Sequence, residues 1–289
     1  MKFKSIQPFL QQLQSVLNRL DAILPPEARE PDWQNAIAFR WQQLGKAGCL
    51  HALPHPHTFS LNRLAAINTQ MQQLVRNTEQ FLQNRPANNV LLTGARGTGK
   101  SSLIKALLHE YAAQGLRLIE VDKHDLTTLP ALLSLLESRP ERFIVFCDDL
   151  SFEDGEDGYK ALKTALDGSL SRRADNVLVY ATSNRRHLMP EYMADNVGNA
   201  NEVHPKEAVE EKVSLSDRFG LWLSFYPFSQ DDYLAAAASW LDDFGLTLDD
   251  TARQAALNWA QMRGSRSGRT AYQFACDWAG RLPEQRTAL

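Results

Sequence analysis

Cysteine is scarce in this chain. Its three thiols, Cys49, Cys147 and Cys276, are odd in number and far apart among 289 residues, which excludes a disulfide scaffold and points to a reducing compartment. Charge of one sign is not in excess either. With a formal net charge of −3, no overall field draws the chain onto nucleic acid, and only a local basic patch could do so. No uninterrupted apolar run is long enough to span a bilayer. The opening Met1-Lys-Phe-Lys-Ser-Ile-Gln-Pro8 lacks the apolar core of a signal peptide, so a cytoplasmic protein without membrane contact is expected. Internal repeats and low-complexity tracts are also missing, which sets aside solenoids and tails.

What is present is ordinary for a globular protein: 44% hydrophobic and 22% charged residues. The length has room for one large domain or two to three small ones. One stretch organises the rest, Asn89-Val-Leu-Leu-Thr-Gly-Ala-Arg-Gly-Thr-Gly-Lys-Ser-Ser-Leu103. Val90, Leu91 and Leu92 have the continuous apolarity of a buried parallel strand. Gly94, Gly97 and Gly99 allow the backbone to wrap an anion with its N–H groups. Helical periodicity restarts at Lys100, so a polyphosphate here meets free amides and the positive end of a helix dipole. The run Gly94, Ala95, Arg96, Gly97, Thr98, Gly99, Lys100, Ser101, Ser102 thus reads as a complete phosphate-binding loop in strand–loop–helix context. Lys100 suits the β/γ-phosphates of ATP, and the Ser101 hydroxyl suits Mg²⁺.

Upstream, residues 5 to 44 read as helical. Ile6, Leu10, Leu13, Leu17 and Leu20 form one stripe closed by Pro25-Pro26, and Trp33, Ile37, Trp41 and Leu44 form a second. Gly45 to Thr58, with Gly48, Pro54 and Pro56, reads as a linker. It holds His51, His55 and His57, but no carboxylate or cysteine pattern accompanies them, so a solvated loop is expected rather than a metal site. Ser60 is placed to cap a helix carrying Leu64, Ile67, Met71, Leu74 and Phe81. Downstream, strands at Leu116–Val121, Phe143–Cys147, Val177–Ala181 and Leu221–Phe225 alternate with helices at Asp125–Ser138 and Gly158–Arg172. The tail is all helical, opening on a capping box at Ser229-Gln-Asp-Asp232 and continuing at about 249–263 and 268–279. The expected architecture is α/β: a doubly wound parallel five-stranded core (59–228), a helical N-terminal region with linker (1–58) and a helical lid (229–289).

Chemistry gathers at strand ends. Asp148 follows an apolar strand directly and is the candidate Mg²⁺ ligand with Ser101. Asp149 is the candidate base for an attacking water, with Glu153 as its rival. Asn184 ends the next strand and could hold the γ-phosphate or the water. Arg218 precedes the last strand, and Arg266 and Arg269 open the last helix. The guanidinium fork meets phosphate oxygens bidentately and keeps its charge. Structural readings stand beside these: a cap or turn for the acids, a strand-end turn for Asn184, surface ion pairs for the arginines.

Together the phosphate loop, the acid-terminated strand, the Asn-terminated strand, Asp217-Arg-Phe-Gly220 and the arginine-bearing lid resemble the AAA+ ATPases. From about Ala38 onward the wording around Pro86–Ser102, Cys147-Asp-Asp-Leu-Ser-Phe-Glu153 and Glu207–Leu223 is similar, more narrowly, to the bacterial family named domain of unknown function 815. The resemblance implies Walker A at Lys100 and Ser101, Walker B at Asp148 and Asp149, sensor 1 at Asn184, an arginine finger at Arg218 and sensor 2 at Arg269 or Arg266. One departure is Asp149, where glutamate is usual in AAA+ proteins: its shorter side chain leaves the water a longer reach and speaks against fast hydrolysis, although the initiator-like AAA+ proteins also use Asp-Asp.

The function expected on these grounds is an ATP- and Mg²⁺-dependent AAA+ ATPase, working as a homo-oligomer to remodel or load an unidentified protein partner. The alternative is a nucleotide-switched, nucleic-acid-associated factor resembling helicase loaders, for which Arg172-Arg173 and Arg185-Arg186 speak and the net charge does not. A small-molecule kinase on the same loop is disfavoured by the long lid. The connection Arg185 to Asp217, and within it about 191–211, is expected to carry partner contacts or report nucleotide state.

Overall fold

The computed structural model of the chain describes residues 12–16, 31–44, 47–152, 156–167, 175–185, 188 and 215–286. Glu153, Arg172-Arg173, Arg186, the 191–211 segment and most of the first helical stripe lie outside the described residues; of that stripe, residues 12–16 are helical and exposed.

Among the described residues seven strands make one sheet: β1 (Ala38–Leu44), β2 (Ala47–Ala52), β3 (Val90–Gly94), β4 (Leu116–Val121), β5 (Arg142–Cys147), β6 (Val177–Ser183) and β7 (Leu221–Phe225), in spatial order β2-β1-β4-β5-β6-β3-β7. All neighbours are parallel except β1 and β2. Both faces are covered. Phe39, Ile119, Val145 and Val179 pack with Leu132 of α3 (Leu129–Leu136) and Leu162 of α4 (Asp157–Asp167) on one face. Val90, Leu92, Phe146 and Tyr180 pack with Leu74 of α1 (Asn68–Leu82) and Ile104 of α2 (Lys100–Tyr111) on the other. Adjacent residues of each strand enter opposite cores, which is why these strands read as apolar runs rather than alternations.

The five expected core strands stand as β3 to β7, and the hairpin β1–β2 corrects the expected N-terminal region. Trp33, Ile37, Trp41 and Leu44 have helical spacing, yet residues 38–44 are a strand paired in parallel with β4. Phe39 and Trp41 enter one core while Ala38 enters the other, so period-two burial against a ready strand edge overrode the local stripe. Gly48, read as part of a linker, is a strand residue under the Trp41 ring: a Cβ there would lie 1.8 Å from Trp41 Cζ2. The span 38–52 therefore extends the sheet rather than tethering a separate region. Two helix starts also shift. Ser60 caps only the short turn Leu61–Arg63, and α1 begins at Asn68 after Ala66, whose φ of 62° breaks the helix. Lys123–Thr128 is a 3₁₀ segment before α3, which carries proline in its first turn.

The lid is a three-helix unit, α5 (Gln230–Asp243), α6 (Asp250–Arg263) and α7 (Gly268–Gly280), with its own core around Tyr233, Ala256, Phe274 and Trp278. Its capping box at Ser229 and Asp232 is formed as the sequence requires. No helix among the described residues is long and apolar enough to cross a membrane.

Candidate functional site

Three neighbouring parallel strands, β5, β6 and β3, bring their C-terminal ends to one edge of the sheet. In an open α/β sheet that edge is where ligands bind. The loop leaving β3 is shaped by its glycines. Gly94 has φ 128°, and a Cβ there would sit 1.9 Å from the carbonyl oxygen of Phe225 on β7. Gly97 at φ 75° lies against Ser267 of the lid, and Gly99 at φ 95° caps α2. The loop is tied down by Ala95 N–H donating to Phe225 O (3.2 Å) and Thr98 Oγ1 donating to Ala95 O (2.8 Å).

Lys100 turns back over this loop. Its Nζ donates to Gly94 O and Ala95 O, each at 2.8 Å, and to Asn184 Oδ1 at 3.0 Å. Burial pushes its pKa below the usual lysine value, the carboxylates of Asp149 and Asp148 oppose that shift, and Arg269 and Arg96 add to it. Asn184 spends its other end on the acid pair, Nδ2 donating to Asp149 Oδ1. Beside this chain, Asp148 Oδ1 receives Ser101 Oγ at 2.6 Å, Thr182 Oγ1 at 2.6 Å and the Asp149 N–H at 3.1 Å.

These groups line a cleft of about 860 Å³ between core and lid. Residues 96–102, Asp148, Asp149, Thr182, Asn184 and Arg269 face it, while Gly94 and Ala95 stand behind with their carbonyls on Lys100. Arg269 also donates its N–H to Gly97 O (3.3 Å), so the start of α7 touches the phosphate loop. Phe59, Leu64, Trp240 and Tyr272 also wall the cleft, an apolar slot beside the cationic groups. Two predicted residues are not brought in. Arg266 is exposed outside the cleft, with its carbonyl accepting from Phe228 N–H. Arg218 pairs with Asp167 at the end of α4.

Sequence reasoning missed Thr182, Arg63, Trp240 and Tyr272. For Thr182 a signal existed, the first small hydroxyl after the apolar run of β6. Trp240 and Tyr272 read as ordinary lid residues, since nothing local says which helix face meets another domain. His57, assigned to a solvated loop, lines the cleft.

The donor set suits a magnesium polyphosphate. Arg96, Lys100, Lys105 and Arg269 supply cations, and the loop of positive-φ glycines wraps the Lys100 ammonium, with the Gly94 and Ala95 carbonyls each at 2.8 Å. Asp148 and Ser101 are hard oxygen donors within hydrogen-bonding distance of each other. No group of three or more metal-binding side chains occurs among the described residues.

Fold and site together define a P-loop protein of the AAA+ class, a parallel α/β core carrying a helical lid over the phosphate loop. Among solved structures, the Holliday junction branch migration motor RuvB of Thermotoga maritima superposes with a TM-score of 0.52 at 13% identity, over 79% of this chain and 67% of that one. The Aeropyrum pernix ORC1 protein in complex with DNA gives 0.51 at 14%, over 72% and 58%. At such identities the likeness is one of fold. No curated protein matches in sequence. The family model described as protein of unknown function DUF815 matches residues 34–282, and the chain belongs to that family.

Proposed function

We propose that the chain binds ATP with Mg²⁺ in the cleft and hydrolyses it slowly, as a homo-oligomeric AAA+ ATPase acting on a protein partner. The observation that carries this reading is the continuous set of hydrogen bonds from Lys100 through Asn184 to Asp149, beside Ser101 on Asp148.

Lys100 and Arg269 bind the phosphate oxygens, and Arg96 adds charge at the loop. Asp148 and Ser101 would hold the metal, which when bound neutralises charge on the β/γ-phosphates. Asn184 orients the water, and Asp149 takes its proton as the water oxygen bonds to the γ-phosphorus and the bond to the ADP oxygen breaks. The apolar slot suits a nucleobase. A protein partner is favoured over nucleic acid by the net charge of −3.

The test is Lys100→Ala in calorimetric ATP titration and phosphate release. Wild type should bind and turn over ATP, and the variant should lose both. Equal affinity in the two would reject the reading.

A further inference from the structure

Thr182 has no part in the mechanism above, yet both acids lean on it. It sits on β6, the strand between the acid-bearing β5 and the loop-bearing β3. The register pairs Cys147 with Ala181 and Leu92 with Thr182, so Thr182 lies level with the first residue beyond β5. A hydroxyl has one proton to give and lone pairs to receive, and here it uses both. Oγ1 donates to Asp148 Oδ1 at 2.6 Å and accepts the Asp149 N–H at 2.9 Å. The Thr182 carbonyl takes the Leu150 N–H at 2.7 Å. One residue thus grips three consecutive positions, Asp148, Asp149 and Leu150.

The grip falls where the backbone needs it. Asp149 has φ 50°, in the left-handed region, where a non-glycine residue is held only by its surroundings. That conformation accompanies the contact of its carboxylate with Asn184. Thr182 is only 2% exposed, so water is poorly placed to replace the hydroxyl. Ser101 reaches the same Asp148 oxygen from the P-loop side. The acid is therefore held from both flanking elements, and only the Thr182 side also fixes Asp149.

We propose that Thr182 is the positioning residue of the acid pair, its hydroxyl setting the Asp148 carboxylate for Mg²⁺ and the Asp149 backbone for the water. This rests on the reading of the cleft as an ATP–Mg²⁺ site. Thr182→Ala and Thr182→Ser both lose the γ-methyl and differ only in the hydroxyl, so the pair separates positioning from packing. Thr182→Val keeps the volume without the hydroxyl.

The experiment measures affinity for ATPγS with and without Mg²⁺ by calorimetry, together with kcat and KM for ATP and the thermal midpoint. Thr182→Ala and Thr182→Val should lose roughly 10- to 100-fold of the Mg²⁺-dependent gain in affinity, the range for a lost hydrogen bond to a charged group. Their kcat should fall at least as far, their Mg²⁺-free affinity should stay near wild type, and Thr182→Ser should retain the gain. If Thr182→Val does not fold, the Ala and Ser variants decide alone. A serine variant as impaired as alanine, or an alanine variant with full Mg²⁺ dependence, would overturn the assignment. Failure of wild type to bind ATPγS at all would instead remove the ATP reading, and this inference with it.

Discussion

Arg63, on the core side of the cleft, is paired with Asp243 at the end of lid helix α5. The Arg63 guanidinium also lies 5.8 Å from the ring centroid of Trp240, and both Arg63 and Trp240 line the cleft. The core and lid are thus joined by a charge pair at Arg63, as they are by the Arg269 N–H on the Gly97 carbonyl beside the phosphate loop.

Arg63→Ala should therefore act on ligand affinity more than on stability. The pair is partly exposed, at 43% and 26% for the two side chains, so it contributes about 0–1 kcal/mol to folding. The thermal midpoint should move by no more than a few degrees. The KM for ATP should rise several-fold as the lid loses its tether, with kcat little changed. A variant with wild-type KM would show that the lid is held without this contact.

The two acids should separate by phenotype. Asp149→Asn keeps a group that can position water but cannot accept its proton, so ATP should bind normally while hydrolysis falls by about 10²–10⁴-fold. Asp148→Asn should instead weaken Mg²⁺-dependent binding, since its carboxylate is the oxygen donor beside Ser101. Binding by calorimetry and turnover by phosphate release distinguish the two. Normal turnover in Asp149→Asn together with a dead Glu153→Gln would move the base to Glu153.

Much of this site was legible because its residues sit at fixed offsets from strand ends. Gly94 to Ser102 follow β3, Asp148 and Asp149 follow β5, and Asn184 follows β6, so an apolar run and its first polar residue were enough to find them. Thr182 was harder, because its importance comes from the register of β6 beside β5, a relation between segments that are distant in sequence. The hairpin β1–β2 was misread for a similar reason. Trp33, Ile37 and Trp41 satisfy a helical period locally, and only the open edge of β4 makes residues 38–44 a strand. The choice between Arg266 and Arg269 was likewise beyond spacing. Ser267 caps α7, which leaves Arg266 outside the helix and sets Arg269 in its first turn against Gly97.

Alkaline pH should destabilise the chain through its buried tyrosines. Tyr180 is fully buried, and burial pushes its pKa from 10.0 up to about 12, against the lowering effect of its bonds to Thr78 and Asn77. Burial raises Tyr233 in the same way. A raised folded-state pKa means the native protein holds the proton more tightly than the unfolded chain. The stabilisation is fully present below pH 10 and is lost as pH climbs through about 12. For Tyr180 the effect is on the order of 2–3 kcal/mol. Thermal midpoints from pH 8 upward should fall above about pH 10, and tyrosinate absorbance should rise together with unfolding. Tyr180→Phe should flatten that fall. Its absence in wild type would mean that the tyrosines ionise in place.

Arg218 sits just before the final strand β7. Leu221, three residues further on, pairs with Val90 at the start of β3, whereas the phosphate loop leaves β3 at its far end, where Gly94 pairs with Phe225. The four residue steps from Leu221 to Phe225 alone span about 13 Å of strand. Arg218 therefore lies toward the opposite end of β7 from its own P-loop, with Asp167 engaging its Nε. On the proposed reading, the phosphate it serves belongs to a neighbouring subunit. An arginine finger acting in trans is typically worth about 10³–10⁵ in rate, through stabilisation of transition-state charge. Arg218→Ala should leave ATP binding near wild type and cut hydrolysis steeply. Mixing it with Lys100→Ala tests the direction of action, because one variant has a sound pocket without the arginine and the other has the arginine without a pocket. Interfaces that combine the sound halves should recover part of the activity both variants lack alone. If the two co-assemble, by mass in solution, and no activity returns, Arg218 acts within its own subunit or only through its pairing with Asp167.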